Sequence, residues 1–221
     1  MSGYASPPCM AAQIAPDYFD PMAVDPQQAL DVARWRKAER ARLRARRHAM
    51  PDADRHAAAT ALAAHVQGVL DTRFGGARGM AVSAYWPIRG EPDLLPLMAA
   101  LHGSGVTAAL PFVAGRADPL AFRVWAPGAA MVRGAWTIPV PRPDAPRVAP
   151  DVALIPLLGW TADGHRLGYG GGCVDRMLAT QTPRPFAIGI GFRAARLATI
   201  FPQPHDVALD LILTEDGAVP A

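Results

Sequence analysis

Hydrophobic and polar residues follow helical spacing in two long segments near the start of the chain. The first segment opens with Asp25, Pro26 and Gln28, which have the form of an N-cap, a first-turn proline and a capping-box glutamine. It continues to about His48. The second segment begins at Pro51 and places apolar residues three or four positions apart until it reaches a pair of glycines. The pattern predicts two consecutive helices.

The first of these helices has one weakly apolar face and one strongly basic face. The weakly apolar face is formed by Leu30, Ala33, the stem of Lys37, Ala41 and Arg44. Residues 31–55 carry nine basic residues against four acidic ones, although the net charge of the chain is only +3. Charge alone leaves open whether the basic face binds phosphates of a nucleotide or a nucleic acid, or is a solvated helix surface.

Beyond residue 80 the pattern changes to short apolar runs separated by helical stretches. The runs are typical of buried strands and occupy residues 80–86, 106–113, 120–125, 152–158, 186–192 and 209–213. Helices are expected at residues 93–101 and 174–180. Such alternation predicts an α/β fold, a three-layer α/β/α arrangement with a mostly parallel sheet. Residues 126–150 contain six prolines and are expected to form an irregular excursion over the sheet.

Length and composition favour a single folded domain. The chain has 221 residues, of which 51% are hydrophobic and 19% charged, so it can bury a sizeable core. The proline-rich start without periodicity predicts a flexible N-terminal extension of residues 1–24, followed by one domain of residues 25–221. Prolines and glycines interrupt the longest uncharged stretch, so no membrane span is expected. Without a secretory signal, and with only two cysteines, a cytoplasmic location is expected.

The most informative stretch for chemistry runs from Asp163 to Arg176 and contains five glycines. It lies between an expected strand and an expected helix, where glycines allow backbone N–H groups to converge on an anion near a helix N-terminus. Arg166 offers a forked phosphate partner, and Asp175 offers a carboxylate for a metal ion bound to that phosphate. The stretch therefore predicts a phosphate site, with a flexible turn as the alternative.

This stretch, GHRLGYGGGCVDR at residues 164–176, resembles the signature of the 5-formyltetrahydrofolate cyclo-ligases, also called 5,10-methenyltetrahydrofolate synthetases. The similarity extends from about residue 34 to residue 216, with the segments 155–156, 188–192 and 206–215 in the family's order. The resemblance implies ATP-dependent conversion of 5-formyltetrahydrofolate to 5,10-methenyltetrahydrofolate with magnesium. In this reaction the formyl oxygen is phosphorylated, N10 closes the ring, and ADP and phosphate are released.

The resemblance also implies site residues. Those implied for the nucleotide are Arg36, Arg40, Gly164, Arg166, Leu167, Gly168, Tyr169, Gly170, Gly171 and Gly172, and Arg166 is in addition implied to be catalytic. Those implied for the folate are Glu91, Trp136 and Tyr169. Those implied for magnesium are Asp175 and Asp206. Lys37 remains an alternative to Arg36.

Each of three residues also has a purely structural interpretation. Glu91 would cap the helix that follows it, Trp136 would be a packing residue, and Asp206 would be a turn residue before the last strand. Cys173 and Val174 stand where the family usually has two aromatic residues, so a family paralogue without folate activity is an alternative. We expect Cys173 to be an inert thiol.

A nucleic-acid-binding protein that uses the basic helix is the third and weakest hypothesis, because Trp35 is the only aromatic residue among the arginines. We therefore expect a small-molecule substrate and no nucleic-acid or membrane partner. Monomer and dimer both remain open.

Overall fold

The computed structural model describes residues 26–115 and 118–219. Contacts group the chain into two compact units, Met1–Lys37 and Ala38–Ala221. The sheet, and the contacts that build the candidate site, belong to the second unit. The expected extension of residues 1–24 and the expected N-cap Asp25 lie outside the described residues, so the boundary between extension and domain stays a prediction.

The described residues form four α-helices, at the positions that the hydrophobic spacing predicts. They are α1 (Pro26–His48), α2 (Asp52–Phe74), α3 (Leu95–Gly103) and α4 (Cys173–Thr180). Pro51 is the N-cap of α2, and Gly75 ends that helix in the left-handed conformation that glycine tolerates best. Among the described residues, none of the helices combines the length and apolarity needed to cross a bilayer.

The strands lie close to the predicted apolar runs, with additional short strands between them. They are β1 (Ala81–Ser83), β2 (Thr107–Phe112), β3 (Ala121–Val124), β4 (Met131–Arg133), β5 (Pro139–Pro141), β6 (Arg147–Val148), β7 (Val152–Pro156), β8 (Gly159–Trp160), β9 (Arg166–Leu167), β10 (Phe186–Ile190), β11 (Leu211–Thr214) and β12 (Gly217–Ala218). Eight of them form one sheet in the order β12-β11-β10-β7-β1-β2-β3-β6. The neighbours from β11 to β2 pair in parallel, whereas β3, β6 and β12 pair antiparallel.

Helices cover both faces of this sheet and give it two hydrophobic cores. On one face, Met98 of α3 and residues of α2 pack in the same core as Leu154 of β7. On the other face, Met177 of α4 and Leu43 of α1 belong to the same core as Ile155. Successive residues of β7 thus point to opposite faces, and both faces are buried, as a parallel sheet requires. The prediction of a three-layer α/β fold is confirmed.

The prediction for residues 126–150 is wrong in part. β4 and β5 form an antiparallel hairpin, and β6 extends the main sheet beyond β3. The prolines of β5 lie in a strand whose only partner in the described residues is β4, and proline is tolerated there because an edge strand leaves some N–H groups unpaired. Proline content therefore obscured a hairpin that carries Trp136 at its tip.

The apolar face predicted for α1 is also wrong. Leu30, Ala33, Lys37 and Ala41 are exposed, whereas Leu43 and Arg47 are buried. The face is misplaced because small and charged residues carry too little hydrophobic contrast to define it. The buried end of this helix therefore brings an arginine to the protein interior.

Candidate functional site

The carboxyl ends of β1 and β7 are adjacent in the sheet, and the two segments that carry most of the predicted site follow these two strands. After β1 the chain forms a tight turn that leads to Glu91. After β7 it forms the β8–β9 hairpin, then the glycine-rich loop of residues 168–172, and then α4. In open α/β sheets, ligands bind at this edge.

The glycine-rich loop presents its backbone to solvent at the start of α4. Gly170 and Gly172 have φ of 95° and 63°, a region that glycine adopts without steric cost. Gly172 is the N-cap of α4 and supplies no side chain to the first N–H groups of the helix. These N–H groups, together with the helix dipole, suit a phosphate.

Two arginines hold this loop by its carbonyl groups. Nε of Arg40 donates to the carbonyl of Gly168 over 2.7 Å, and Nη2 of Arg176 donates to the carbonyl of Gly171 over 2.9 Å. Positive charge therefore stands at both ends of the loop, which favours an anionic ligand. Arg36 belongs to the first unit, and its predicted phosphate contact stays a prediction.

Arg166 makes its bonds inside the protein. Its Nη2 forms an ion pair with Oδ1 of Asp175 over 2.6 Å, and its Nη1 donates to the carbonyl of Val207 over 2.7 Å. The same Oδ1 accepts the N–H of Val207 over 3.1 Å. The Arg166 side chain is 6% exposed, and burial lowers the pKa of its guanidinium although Asp175 opposes the shift. This pair fixes the start of α4 to β9, and direct contact of Arg166 with phosphate stays a prediction.

Asp206 lies beside this pair. It precedes Val207 in the chain, its Oδ2 accepts the N–H of Gln203 over 2.7 Å, and its charge, like that of Asp175, opposes the lowering of the Arg166 pKa by burial. The structure thus brings the two predicted magnesium ligands into one neighbourhood. No group of three or more histidine, cysteine or carboxylate side chains in the described residues is arranged to hold a metal ion by itself.

Glu91 follows a turn with two consecutive left-handed residues. Arg89 and Gly90 have φ of 51° and 77°, and the turn closes through the N–H of Ile88, which donates to Oε2 of Glu91 over 3.0 Å. Glu91 is 7% exposed. Burial raises the pKa of its carboxyl group, and the hydrogen bond from Ile88, the charge of Arg47 and the hydroxyl of Tyr169 oppose that rise.

Arg47 connects the Glu91 turn to the glycine-rich loop. Its Nε donates to the carbonyl of Arg89 over 3.0 Å, and its Nη2 donates to the hydroxyl of Tyr169. Tyr169 lies close enough to Glu91 that burial and the carboxylate raise the pKa of the phenol to about 12. Two of the three predicted folate residues, Glu91 and Tyr169, are therefore brought together.

Sequence reasoning missed Arg47. One signal was available, because Arg47 lies four positions after Leu43 and therefore on the same face of α1. The hydrophobicity pattern alone would not select an arginine for burial. A cavity of about 410 Å³ adjoins the same turn and is lined in part by Glu91, Asp93, Arg55 and His56.

Trp136 makes no polar or ring contact with Glu91 or Tyr169 in the described part of the chain. It is 56% exposed at the tip of the β4–β5 hairpin. Trp136 and Thr137 have φ of 53° and 60°, unusual values for residues with a β-carbon. Its predicted folate contact stays a prediction.

Cys173 is a free thiol at the first position of α4. Its Sγ lies 3.4 Å from Nη2 of Arg176 and 3.6 Å from the carbonyl oxygen of Gly171. Val174 is packed against the core that α4 shares with the sheet. The two positions where the family usually has aromatic rings therefore contain a small polarisable group and a core residue.

Comparisons with known proteins agree with one family. The model of the 5-formyltetrahydrofolate cyclo-ligase family matches residues 32–215. A 5-formyltetrahydrofolate cyclo-ligase of Mycolicibacterium smegmatis is 30% identical over 182 residues, which cover 79% of this chain and 91% of that relative. A 5-formyltetrahydrofolate cyclo-ligase of Mus musculus is 32% identical over 71 residues, which cover 30% of this chain and 35% of that relative.

Two solved structures share the fold. The 5,10-methenyltetrahydrofolate synthetase of Mycoplasma pneumoniae superposes with a TM-score of 0.67 at 22% identity, covering 81% of this chain and 98% of that chain. The 5,10-methenyltetrahydrofolate synthetase of Aquifex aeolicus superposes with a TM-score of 0.68 at 23% identity, covering 84% of this chain and 92% of that chain. With the family match over most of the sequence, the chain belongs to the 5-formyltetrahydrofolate cyclo-ligase family of enzymes.

Proposed function

We propose that this chain converts 5-formyltetrahydrofolate to 5,10-methenyltetrahydrofolate with ATP, releasing ADP and phosphate. The observation that carries the proposal is the link from Glu91 through Arg47 to Tyr169. This link sets the turn after β1 against the glycine-rich loop, so a folate beside Glu91 and a nucleotide on the loop would lie within reach of one another. Its place in the cytoplasm and its oligomeric state stay predictions.

The triphosphate would lie on the backbone N–H groups of residues 168–172, at the N-terminus of α4. Arg40 would add charge at one end of the loop. Leu167 and Gly164, two further predicted residues, would fix the segment that precedes the loop. Leu167 is buried, and the carbonyl of Gly164 accepts the N–H of Leu209 over 3.0 Å. Arg36 remains a proposed phosphate contact, and Arg166 would act by fixing the loop in place.

Asp175 and Asp206 fit a magnesium ion that is held jointly with phosphate. Among the described residues, the hydrogen bonds of Asp175 fall on Oδ1, which leaves Oδ2 for a cation. Magnesium usually takes one or two carboxylates together with phosphate oxygens, so a pair of aspartates suffices. The ion would supply charge neutralisation for the phosphates, and the two aspartates would orient it.

The folate would lie beside Glu91, next to the cavity that adjoins the turn. Oε2 of Glu91 is already bonded to the N–H of Ile88, and this bond fixes the direction of the carboxyl group, which is suited to accept hydrogen bonds from the N–H donors of the pterin. Tyr169 would border the reacting end of the folate. Trp136 is exposed on its hairpin, and its contact with the folate would be stacking of its indole ring on the pterin.

The reaction requires alignment more than an enzyme nucleophile. The formyl oxygen attacks the γ-phosphorus, and the bond from that phosphorus to the ADP oxygen breaks. N10 then attacks the formyl carbon, and phosphate and the N10 proton leave. Such transfer depends on positioning and on stabilising negative charge. The N–H groups of residues 168–172 and the guanidinium of Arg40 would stabilise the negative charge on the phosphates. Glu91 would position the folate.

An absorbance assay for the methenyl product tests the proposal. Product is expected only when ATP and 5-formyltetrahydrofolate are both present, with one ADP formed for each product. Arg40→Gln is expected to lower kcat/KM at least about tenfold, because a charged hydrogen-bond donor beside the phosphates is lost. Arg42→Gln is the matched control, since the Arg42 side chain is 54% exposed and, among the described residues, pairs with Glu39 of its own helix rather than with the loop.

Two outcomes would reject the proposal. ATP hydrolysis that is independent of 5-formyltetrahydrofolate, without methenyl product, would identify a paralogue that binds nucleotide but lacks the folate activity. Absence of any binding of ATP would remove the nucleotide site itself.

A further inference from the structure

Among the residues that the structure describes, Arg47 is a buried side chain that touches both candidate substrate segments, and no sequence motif selects it. It is 5% exposed near the end of α1. Its Nε and Nη2 reach the Glu91 turn and Tyr169, and its Nη1 approaches the carbonyl of Leu157, at the end of β7, over 3.4 Å. A single guanidinium therefore contacts the turn after β1, the residue that follows β7, and the glycine-rich loop.

The bond to the Glu91 turn has a specific consequence for Glu91. Arg89 has a β-carbon and a φ of 51°, in the left-handed region that is strained for residues other than glycine. The hydrogen bond that Arg47 donates to the carbonyl of Arg89 offsets this strain. Gly90 follows directly, and a β-carbon there would lie 3.5 Å from Cγ of Arg47. The turn therefore packs directly against Arg47, and the conformation of the turn sets the direction of the Glu91 side chain.

The bond to Tyr169 acts on the other segment. Tyr169 is the only non-glycine residue of the loop of residues 168–172, so side-chain contacts of that loop are made by its ring and hydroxyl, in addition to the backbone bonds from Arg40 and Arg176. Arg47 and Arg89 both approach the ring, with Cζ 5.7 Å and 5.4 Å from its centroid. The hydroxyl and the ring are therefore fixed together.

We propose that Arg47 is a positioning residue for the reaction, which holds Glu91 and Tyr169 in one arrangement so that the folate and nucleotide sites are formed together. This inference rests on the proposed function. The planar fork is essential, because three donors of Arg47 point to three different acceptors at once. Lysine preserves the charge but cannot reproduce that geometry.

Steady-state kinetics of Arg47→Lys and Arg47→Gln test the inference. Both variants are expected to raise KM for ATP and KM for 5-formyltetrahydrofolate together, by about tenfold or more, because both segments lose the same support. Arg46→Lys and Arg46→Gln are matched controls on the neighbouring position, where the side chain is exposed and bonds the carbonyl of Ala194 over 2.7 Å. The controls are expected to change each KM less than about twofold.

The pH profile separates positioning from a loss of folding. Several charged or titratable groups face Glu91: Arg47 of α1, Arg89 of its own turn, Tyr169 of the loop, Tyr85 after β1, Asp93, and Asp52, Arg55 and His56 of α2. Arg47 holds the pKa of Glu91 down against burial, so Arg47→Gln is expected to move the acidic limb of kcat/KM to higher pH. Arg47→Lys, which keeps a positive charge, is expected to move it less. A merely structural defect would lower the whole profile without moving the limb.

A double-mutant cycle with Tyr169→Phe completes the test. Arg47→Gln and Tyr169→Phe remove the two ends of one hydrogen bond, so their effects on KM are expected to be non-additive, whereas Arg46→Gln and Tyr169→Phe are expected to add. Additive effects, or a KM increase for only one substrate, would overturn the inference. Both results presuppose an active wild-type enzyme, and an inactive wild type would instead reject the proposed function.

Discussion

The glycine-rich loop and the β4–β5 hairpin adopt similar backbone conformations by opposite means. In the loop, the residues with positive φ are Gly170 and Gly172, and arginines bind the carbonyl groups around them. In the hairpin, the residues with positive φ are Trp136 and Thr137, and the tip is exposed. The glycine-rich loop is unstrained and is fixed by hydrogen bonds from Arg40 and Arg176. The hairpin tip is strained and exposes the large ring of Trp136 to solvent.

This difference separates two ways of preparing a binding site. A loop that is held by a buried ion pair needs little reorganisation when an anion arrives. A hairpin that keeps non-glycine residues in the left-handed region stores energy, and such strain concentrates at functional positions. The Glu91 turn lies between the two cases, because its strained Arg89 is held by Arg47.

The largest effect is expected from breaking the support of the loop. Arg166→Ala removes the partner of Asp175 where both side chains are largely buried, and an uncompensated buried carboxylate costs about 3–5 kcal/mol of unfolding free energy. Turnover with ATP is also expected to fall at least about tenfold, because the start of α4 loses its anchor. Urea unfolding and the product assay measure the two effects.

Arg184→Ala is the matched control for this change. Arg184 also pairs with an aspartate, Asp210, over 2.8 Å, but its side chain is 37% exposed. Its removal is expected to cost about 1 kcal/mol or less. Equal losses from Arg166→Ala and Arg184→Ala would contradict the view that burial of the ion pair is what holds the loop.

The next effect tests whether glycine is required behind the loop. Gly164 has φ of 85°, and a β-carbon there would lie 2.9 Å from the backbone oxygen of Leu209. Gly164→Ala is therefore expected to cost at least about 2 kcal/mol, the sum of a left-handed alanine and a clash with backbone. At Gly168 a β-carbon meets no atom within 4 Å, so Gly168→Ala is expected to change stability by less than about 0.5 kcal/mol. Thermal unfolding of the two variants decides between them.

The predictability of the fold and of the site follows the same division between loop and hairpin. The parallel sheet could be predicted because strands buried on both faces, such as β7 and β10, read as continuous apolar runs. The glycine-rich loop could be predicted because glycine marks its unusual conformation directly. The hairpin escaped prediction because Trp136 and Thr137 adopt that conformation without any such mark.

Arg47 escaped prediction for a different reason. Burial of an arginine depends on acceptors that come from distant parts of the chain, here the carbonyls of Arg89 and Leu157 and the hydroxyl of Tyr169. Their sequence separations from Arg47 are 42, 110 and 122 residues. Local hydrophobicity contains no information about such acceptors, so the sequence does not distinguish Arg47 from the other arginines of the basic face of α1.

Replacement of Glu91 is expected to have a smaller effect on stability than the changes above, and in the opposite direction, because the buried carboxylate of Glu91 opposes folding at neutral pH. Burial raises the pKa of Glu91, so the folded state binds a proton more readily than the unfolded state. The favourable contribution is complete below the usual pKa of glutamate and is lost as the pH rises through the raised value. Glu91→Gln is therefore expected to raise Tm at neutral pH, with a gap to wild type that closes in acid, while the product assay loses activity.

Glu39→Gln provides the control with the opposite sign. The hydrogen bond from Arg42 lowers the pKa of Glu39, so its contribution to stability is present above the usual pKa and is lost as the pH falls. This variant is expected to lower Tm slightly at neutral pH and to match wild type in acid. The same direction of change in Glu91→Gln and Glu39→Gln would contradict the assignment of a burial penalty to Glu91.

The smallest effect is expected at the hairpin tip, where it measures the free energy of the left-handed conformation of Thr137. Thr137→Gly removes the β-carbon at φ of 60°, which relieves about 1–2 kcal/mol, while the greater freedom of glycine in the unfolded chain costs about 0.5–1 kcal/mol. The net result is expected to be a gain of about 0–1.5 kcal/mol in unfolding free energy. Thr137→Ala keeps the β-carbon but removes the hydroxyl, which bonds the carbonyl of Trp136 over 2.6 Å, so it is expected to give no gain. Equal stability of the two variants would show that the threonine hydroxyl, and not the left-handed backbone, governs the hairpin, and the contrast with the glycine-rich loop would then disappear.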